Sequence, residues 1–213
     1  FVAAVLTWSE LVRKVASALK WVLALSLVFE LWVAVFVRVP VLPGFVPREE
    51  PVDPILYWSR NNLFDGGRLQ GIMGNANLLG PLALVALVVF AVLYVHRDTR
   101  RVTLLGWILV AGYLFVRAAS ATAYLAAAAV LVVLATILLM RTARGPGART
   151  KYYVLYLIVG VGGSIGVWML RDRLFAAVGR DGDLTGREAI WDAVLQRAAE
   201  HPVRGWGFAT PWI

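Results

Sequence analysis

The chain has 213 residues, of which 60% are hydrophobic and 16% are charged, and it contains no cysteine. A soluble domain is about half apolar and about a quarter charged, so this composition indicates a membrane protein. The lack of cysteine excludes disulfides and thiolate metal sites. A net charge of +8 is compatible with nucleic-acid binding, but the basic residues cluster beside apolar runs, which is typical of membrane loops. We therefore expect membrane lipids, and no nucleic acid, as partners.

Five apolar segments are long enough, with their flanks, to cross a hydrocarbon core about 30 Å thick. They are residues 21–37, 78–95, 102–116, 123–140 and 152–170. They predict an all-α fold, a polytopic transmembrane helix bundle forming one membrane domain over residues 1–213. The basic stretch 11–20 is interpreted as a loop before the first span. Because the chain opens on the apolar stretch FVAAVLT and ends without a closing feature, we expect an internal fragment of a longer protein.

Short basic loops alternate with longer or more acidic ones, and this pattern predicts the orientation of the spans. The residues assigned to the cytoplasm are Arg13, Lys14, Lys20, Arg97, Arg100, Arg101, Arg141, Arg144, Arg149 and Lys151. The loop 39–77, the link 117–122 and the segment 171–213, which would begin a large outward loop, then face outward. We expect a multi-pass protein of the cytoplasmic (inner) membrane whose polar site faces outward.

The first outward segment, residues 66–80, reads GGRLQGIMGNANLLG and runs directly into a span. Its arginine, Arg68, is interpreted either as an anion-binding residue or as a solvated loop residue near lipid phosphates. Asn75 and Asn77 are interpreted either as caps of the span that follows or as amides that contact a sugar or phosphate. Polar, Gly-rich backbone at the end of a span suits the binding of a charged ligand.

The second outward segment, residues 178–191, reads VGRDGDLTGREAIW. Thr185 and Glu188 have the spacing of a capping box, which predicts a helix from about residue 186 to residue 200. The helix is amphipathic, and we expect it to lie along the membrane surface or to pack on the bundle. Arg187 falls in its first turn, where backbone N–H groups and a guanidinium together suit a phosphate. The alternative is a surface ion pair with Asp183 or Glu188.

Glu30 lies inside the first apolar segment, where a carboxylate is costly and faces protein or water. It is interpreted either as a substrate contact or proton relay, or as a partly neutral or paired residue between helices. Neither His96 nor His201 is assigned chemistry, and the sequence shows no metal-ligand cluster or nucleophile constellation. We expect no metal and no cofactor.

Taken together, these segments resemble the O-antigen ligase/polymerase family of bacterial membrane glycosyltransferases. The resemblance is carried by RLQGIMGNANLLG before a span, by TGREAIW and the later HPVRGWGF, and by RAASATAYLAA at 117–127. In the last of these, Arg117 precedes Ser120, whereas the family's link has serine before arginine. Residues 8–45 look like the actinobacterial branch. The resemblance extends over nearly the whole chain.

The resemblance implies a metal-independent transfer from a polyprenyl-diphosphate-linked glycan donor to a glycan or lipid acceptor. In this interpretation Arg68 and Arg187 stabilise the departing diphosphate, and Asn75, Asn77, Thr185 and Trp191 shape the substrate site. The general base of the family is a histidine in the large outer loop, which we expect beyond Ile213, so the fragment alone is expected to be inactive.

Two other functions are compatible with the sequence. A transporter or flippase for lipid-linked glycans would place its polar site near the middle of the membrane. A non-catalytic subunit of a cell-envelope polysaccharide assembly complex would need no paired arginines. The sequence leaves open whether the enzyme is a ligase or a polymerase, and which glycans it joins.

Overall fold

The computed structural model describes residues 7–44, 46, 52, 56–96, 101–142, 147–177 and 187–202. Over these ranges the chain forms α1 (Trp8–Trp32), α2 (Ala76–His96), α3 (Arg101–Ala118), α4 (Ala121–Thr142), α5 (Thr150–Ala177) and α6 (Arg187–Glu200). A π-helical turn, Val33–Val37, extends α1, and a 3₁₀ turn, Gly71–Met73, precedes α2. The all-α prediction is confirmed.

Helices α1 to α5 are long and apolar enough to cross a membrane, so the chain is a multi-pass membrane protein, as predicted. Helices α2 to α5 begin one or two residues before the apolar segments that predicted them, and α5 continues past residue 170 to Ala177. The predicted outward link 117–122 is shorter in the structure, because Arg117 and Ala118 still belong to α3.

The interpretation of residues 11–20 as a loop is wrong, because these residues form the second to fourth turns of α1. The helix begins with a capping box in which the Thr7 side chain accepts from the Glu10 backbone and the Glu10 side chain accepts from the Thr7 backbone. With its π-helical turn, α1 is 30 residues long. At 1.5 Å per residue it measures about 45 Å, so its basic first part can extend beyond a hydrocarbon core about 30 Å thick.

The chain divides into two compact units, unit 1 (Phe1–Ile137) and unit 2 (Leu138–Ile213). In unit 1, α2 and α3 are antiparallel. The hydrogen bond from Ser120 to Asn77 lies at one end of the pair, and the ring contact between Phe90 and Trp107, with centroids 6.5 Å apart, lies further along it. The core between α1, α2 and α3 includes these large, fully buried side chains: Leu23, Leu79, Phe90, Leu104 and Leu114.

Gly80 marks the closest approach of α2 to the chain between α3 and α4. A Cβ atom at Gly80 would lie 2.8 Å from the Cβ of Ser120 and 3.0 Å from that of Ala123. Since the first distance is shorter than real Cβ contacts and the second is at the tight limit, glycine is what allows α2 to pack this closely. The contact brings the beginning of α2 next to the end of α3.

Unit 2 contains the last residues of α4 and the whole of α5 and α6. In the most apolar 18-residue stretch of α5, none of the described residues is buried. Helix α6 begins at Arg187 and ends at Glu200, so the predicted boundaries of this helix are confirmed within one residue. That residues 1–213 form a single membrane domain stays a prediction.

Candidate functional site

The connection between α1 and α2 folds over one end of unit 1, which we call the loop end. This end carries the last turn of α1, the first turns of α2 and α4, and the last turn of α3. An isolated antiparallel bridge joins Val41 to Ser59, with N···O distances of 2.8 and 3.4 Å between them. The amide nitrogen of Leu69 lies 2.9 Å from the carbonyl oxygen of Arg117. The loop 39–77 and the link after α3, both predicted to face outward, therefore lie at the same end of unit 1.

Glu30 is the polar centre of this end. It is 1% exposed and lies in the last turn of α1, just before the π-helical turn. Its Oε1 accepts hydrogen bonds from the backbone of Gln70 at 3.0 Å and of Gly71 at 2.7 Å. Its Oε2 accepts from the Ser59 hydroxyl at 2.8 Å, and Ser59 is itself fully buried. Of the two interpretations of Glu30, the structure favours the paired residue, because three protein donors bond to the carboxyl group, but these donors belong to the loop and not to another membrane helix.

Four consecutive backbone amides in the loop donate to the helices beneath it. The Leu69 amide bonds to α3, through the Arg117 carbonyl, and the amides of Gln70 and Gly71 bond to Glu30 of α1. The next amide, that of Ile72, lies 3.4 Å from the hydroxyl oxygen of Ser26, also on α1. Since buried backbone N–H groups require partners, the segment 69–72 is held in one conformation by polar groups from two helices.

The rest of the loop is tied to the same segment by side chains. The Gln70 amide nitrogen donates to the carbonyl oxygens of Tyr57 at 3.1 Å and Gly74 at 3.3 Å. The Trp58 indole donates to the Ile72 carbonyl at 3.1 Å, while its ring lies against Phe29 of α1 with centroids 6.0 Å apart. These contacts join residues 57–58 to residues 70–74, so that the loop forms a compact cover on the helix ends.

Arg68 is half-buried and its guanidinium has a defined orientation. The Nε atom donates to the Ala118 carbonyl at 3.0 Å, and Nη2 donates to Oδ1 of Asn77 at 2.7 Å. The Ser120 hydroxyl also donates to this Oδ1, at 3.3 Å. Together these two bonds to uncharged acceptors orient the guanidinium. Arg68 is thus more ordered than a solvated loop arginine, which was one of its two interpretations.

The two asparagines of the loop have different roles. The exposed Asn75 accepts from the backbone of Asn77 at 2.8 Å, which is an N-cap bond at the start of α2. This confirms the capping interpretation for Asn75. Asn77 is inside the first turn, where its side chain contacts Arg68 and Ser120 instead. A contact of either amide with a sugar or phosphate stays a prediction.

Arg117 is a residue whose role the sequence did not reveal. Its Nη2 donates to the carbonyl oxygens of Asn62 and, at 3.1 Å, of Leu63. The side chain of Asn62 in turn donates to the Arg68 carbonyl at 3.3 Å. Arg117 thereby connects the last turn of α3 to the part of the loop that precedes Arg68. A single arginine at the end of a helix does not indicate, from the sequence alone, that it bonds to residues 54 and 55 positions earlier in the chain.

The other predicted site residues belong to unit 2. Thr185 lies outside the described residues, and so does the side chain of Arg187, although its backbone begins α6. Trp191 is 61% exposed on the same helix. Arg68 belongs to unit 1, so a shared site of Arg68 and Arg187 stays a prediction.

Two further features of the described residues bear on function. No group of three or more His, Asp or Glu side chains is placed to hold a metal ion in the described part of the chain. A cavity of about 330 Å³ lies between the beginning of α1 and the end of α2, at the opposite end of unit 1 from the loop. Its walls are formed by Trp8, Ser9, Val12, Val92, Leu93 and His96.

A scan against protein-family models and searches of curated proteins and of solved structures found no match to this chain. The resemblance to a glycosyltransferase family therefore depends on the sequence motifs alone.

Proposed function

We propose that the full-length protein is a membrane glycosyltransferase of the O-antigen ligase/polymerase type. It transfers or polymerises a glycan from a polyprenyl-diphosphate carrier onto a lipid- or polymer-linked acceptor, at the outer face of the cytoplasmic membrane. The observation that carries the proposal is the orientation of the Arg68 guanidinium by Asn77 and the Ala118 carbonyl, at the end of two membrane helices.

In this reaction an acceptor hydroxyl oxygen attacks the anomeric carbon of the donor glycan. The bond between that carbon and the phosphate oxygen breaks, and its electron pair leaves with the diphosphate. The hydroxyl proton passes to a general base. A cation that is already oriented stabilises the charge growing on the leaving group without the cost of reorganisation. Arg68 fits this role because its bonds to Asn77 and to the Ala118 carbonyl fix the direction of its guanidinium.

The second cation in the proposal is Arg187. It is the first residue of α6, where the free N–H groups of the first turn and the helix dipole favour an anion. One phosphate of the carrier would bind at Arg68 and the other at Arg187, with Thr185 and Trp191 beside the second.

A transporter or flippase is the second candidate, and Glu30 is the observation in its favour. An ionisable residue inside a span is a common part of an ion or substrate pathway. However, Glu30 lies seven residues before the end of the π-helical turn, about 10 Å along a helix, and transporter sites lie near the membrane midplane. Its three bonds go to the loop, which fits a role in holding the loop better than a role in transport.

The test uses the full-length protein in a strain that lacks the chromosomal copy. Arg68→Ala is expected to abolish the surface glycan and to let the lipid-linked donor accumulate on the outer face of the membrane. Arg68→Lys keeps the charge but not the forked geometry, and is expected to retain partial transfer. Arg38→Ala is the matched control, because Arg38 is an exposed arginine at the same end of unit 1.

The outcomes separate the candidates. A normal amount of surface glycan in the Arg68→Ala strain would contradict the assignment of the site. Accumulation of the donor on the inner face, with no defect in transfer from donor supplied outside, would support the flippase instead.

A further inference from the structure

We propose that Glu30 is a positioning residue that holds Arg68 in its anion-binding orientation. The carboxylate acts from within α1 on the backbone that follows Arg68. This inference deepens the proposed function and rests on it in one respect, namely that Arg68 is the residue that binds the diphosphate.

Both oxygens of Glu30 bond to the loop, and they reach it at two separate points. Oε1 accepts from the amides of Gln70 and Gly71, and Oε2 accepts from the hydroxyl of Ser59. Ser59 is also the residue that pairs with Val41 at the beginning of the loop. One side chain therefore joins the beginning of the loop, its middle and the membrane helix below.

Arg68 lies two residues before the first of these amides. Between them is Leu69, which is fully buried and whose amide bonds to the Arg117 carbonyl. The carbonyl of the same peptide group, that of Arg68, accepts from the side chain of Asn62. The peptide group that follows Arg68 is consequently held by both its N–H and its C=O, and a shift of residues 70–71 away from α1 would move the guanidinium relative to Asn77 and Ala118.

The position requires a carboxylate in particular. Three donors converge on it, and an ionised carboxylate is a side chain with acceptors only. Glutamine at this position would have nearly the same shape, but its NH₂ group would replace one of the two oxygens. This NH₂ group would face a donor and not an acceptor. Such a variant would leave at least one buried donor in the loop without an acceptor.

The close approach of the loop to α1 is visible at Gly71. The residue has φ of +58°, and a Cβ atom there would lie 2.6 Å from the Cβ of Ser26. Any side chain at this position would push the loop away from Glu30. A direct contact of Glu30 with substrate would require an accessible oxygen, whereas the residue is 1% exposed.

The experiment measures local order and ligand binding in the same samples, with the full-length protein in lipid nanodiscs. Hydrogen exchange is followed by mass spectrometry for peptides that contain residues 69–72 and for peptides within α2 and α3. Binding of undecaprenyl diphosphate is measured by native mass spectrometry. The variants are Glu30→Gln and Ser59→Ala, and the control is Asp65→Asn, the same chemical change at an exposed residue of the same loop.

In Glu30→Gln we expect faster exchange in residues 69–72, unchanged exchange in α2 and α3, and binding weaker by about tenfold or more, since misplacement by about 1 Å can cost more than that. Ser59→Ala, which removes one of the three bonds, should change both quantities in the same direction by less. If Glu30→Gln does not fold, Ser59→Ala alone provides the test. Asp65→Asn should match the unaltered protein.

Unchanged exchange in residues 69–72 of Glu30→Gln would overturn the inference. Faster exchange throughout α1 to α3 would also overturn it, because it would indicate a general loss of stability. Faster exchange in residues 69–72 with normal binding of undecaprenyl diphosphate would overturn it as well. A different result would separate this inference from the proposed function. If the unaltered protein does not bind undecaprenyl diphosphate but Glu30→Gln still changes exchange as expected, the proposed function and the link to Arg68 are contradicted. The anchoring of the loop by Glu30 would then still stand.

Discussion

The amide nitrogen of Gly71 lies 2.7 Å from Oε1 of Glu30, a residue 41 positions earlier in the chain and inside a membrane helix. The bond connects the loop before α2 to α1 by a single buried carboxylate. Because the same oxygen also accepts from Gln70, the loop is attached to the helix by its backbone rather than by apolar contacts alone. The conformation of Arg68 is thus tied to that of the membrane helices.

The contact between Arg68 and Asn77 predicts the effect of placing a carboxylate next to the guanidinium. Asn77→Asp keeps an acceptor for Arg68 and for the Ser120 hydroxyl, so folding should be retained. The new charge pairs with Arg68 and reduces its attraction for an anion. We expect surface glycan to fall as in Arg68→Ala, with little change in thermal stability in detergent. Full transfer by Asn77→Asp, at normal expression, would show that Arg68 does not act through its charge.

Gly71 and Gly66 allow two contributions to loop stability to be separated. Both have positive φ, +58° and +84°, but only at Gly71 would a Cβ meet another residue, Ser26. Gly66→Ala should lower the free energy of unfolding by about 1–2 kcal/mol, the cost of a left-handed conformation. Gly71→Ala should lower the free energy of unfolding by the same amount and by about 1–3 kcal/mol more, because its Cβ would overpack against Ser26. Unfolding titrations in mixed micelles would measure both, and equal effects would contradict the close contact with Ser26.

The packing of α2 at Gly80 can be compared with an unpacked glycine on α3. Gly80→Ala would place a Cβ 2.8 Å from that of Ser120, and we expect destabilisation by about 1–3 kcal/mol. A Cβ added at Gly106 would meet no atom of the described residues within 4 Å, so Gly106→Ala should be neutral or stabilising by up to about 1 kcal/mol. The difference in melting temperature in detergent is the measurement. A stabilising Gly80→Ala would mean that the start of α2 lies further from α4.

Asn75 offers a test of capping against ligand contact. The N-cap bond to the Asn77 amide needs only an acceptor, so Asn75→Asp should preserve stability, while Asn75→Ala should cost about 1 kcal/mol. If Asn75 only caps α2, transfer should follow stability and be normal in Asn75→Asp. A loss of transfer in Asn75→Asp at normal stability would instead assign the amide group a contact with the substrate.

Hydropathy located the membrane helices because the bilayer imposes a length and a composition on each of them. It failed at residues 11–20, where Arg13, Lys14 and Lys20 indicated a loop although α1 runs through them. Charged residues indicate where a segment leaves the hydrocarbon core, but they do not indicate where the helix ends. A helix whose backbone hydrogen bonds are satisfied can continue beyond that boundary. The capping box at Thr7 and Glu10, which marks the true beginning of α1, is readable in the sequence.

The site could be predicted only in part. Arg68 and the capping role of Asn75 follow from local pattern, since an asparagine before a span is a common cap. The partners of Glu30 and Arg117 are 29 to 55 residues away, and no local periodicity encodes such a separation. The sequence did show that Glu30 lies in an apolar span, and a carboxyl group in such a position requires a partner.

The distance in sequence between Glu30 and its partners has a consequence for how the protein is made. Synthesis proceeds from the N-terminus at about 5–20 residues per second, so the amide of Gly71 is made about 2–8 s after the carboxylate that it will bond. During that interval α1 is in or entering the bilayer with a carboxyl group that the finished protein buries. The newly made helix therefore has to keep Glu30 solvated, or stay near the insertion machinery, until the following loop has been made and can bond to it.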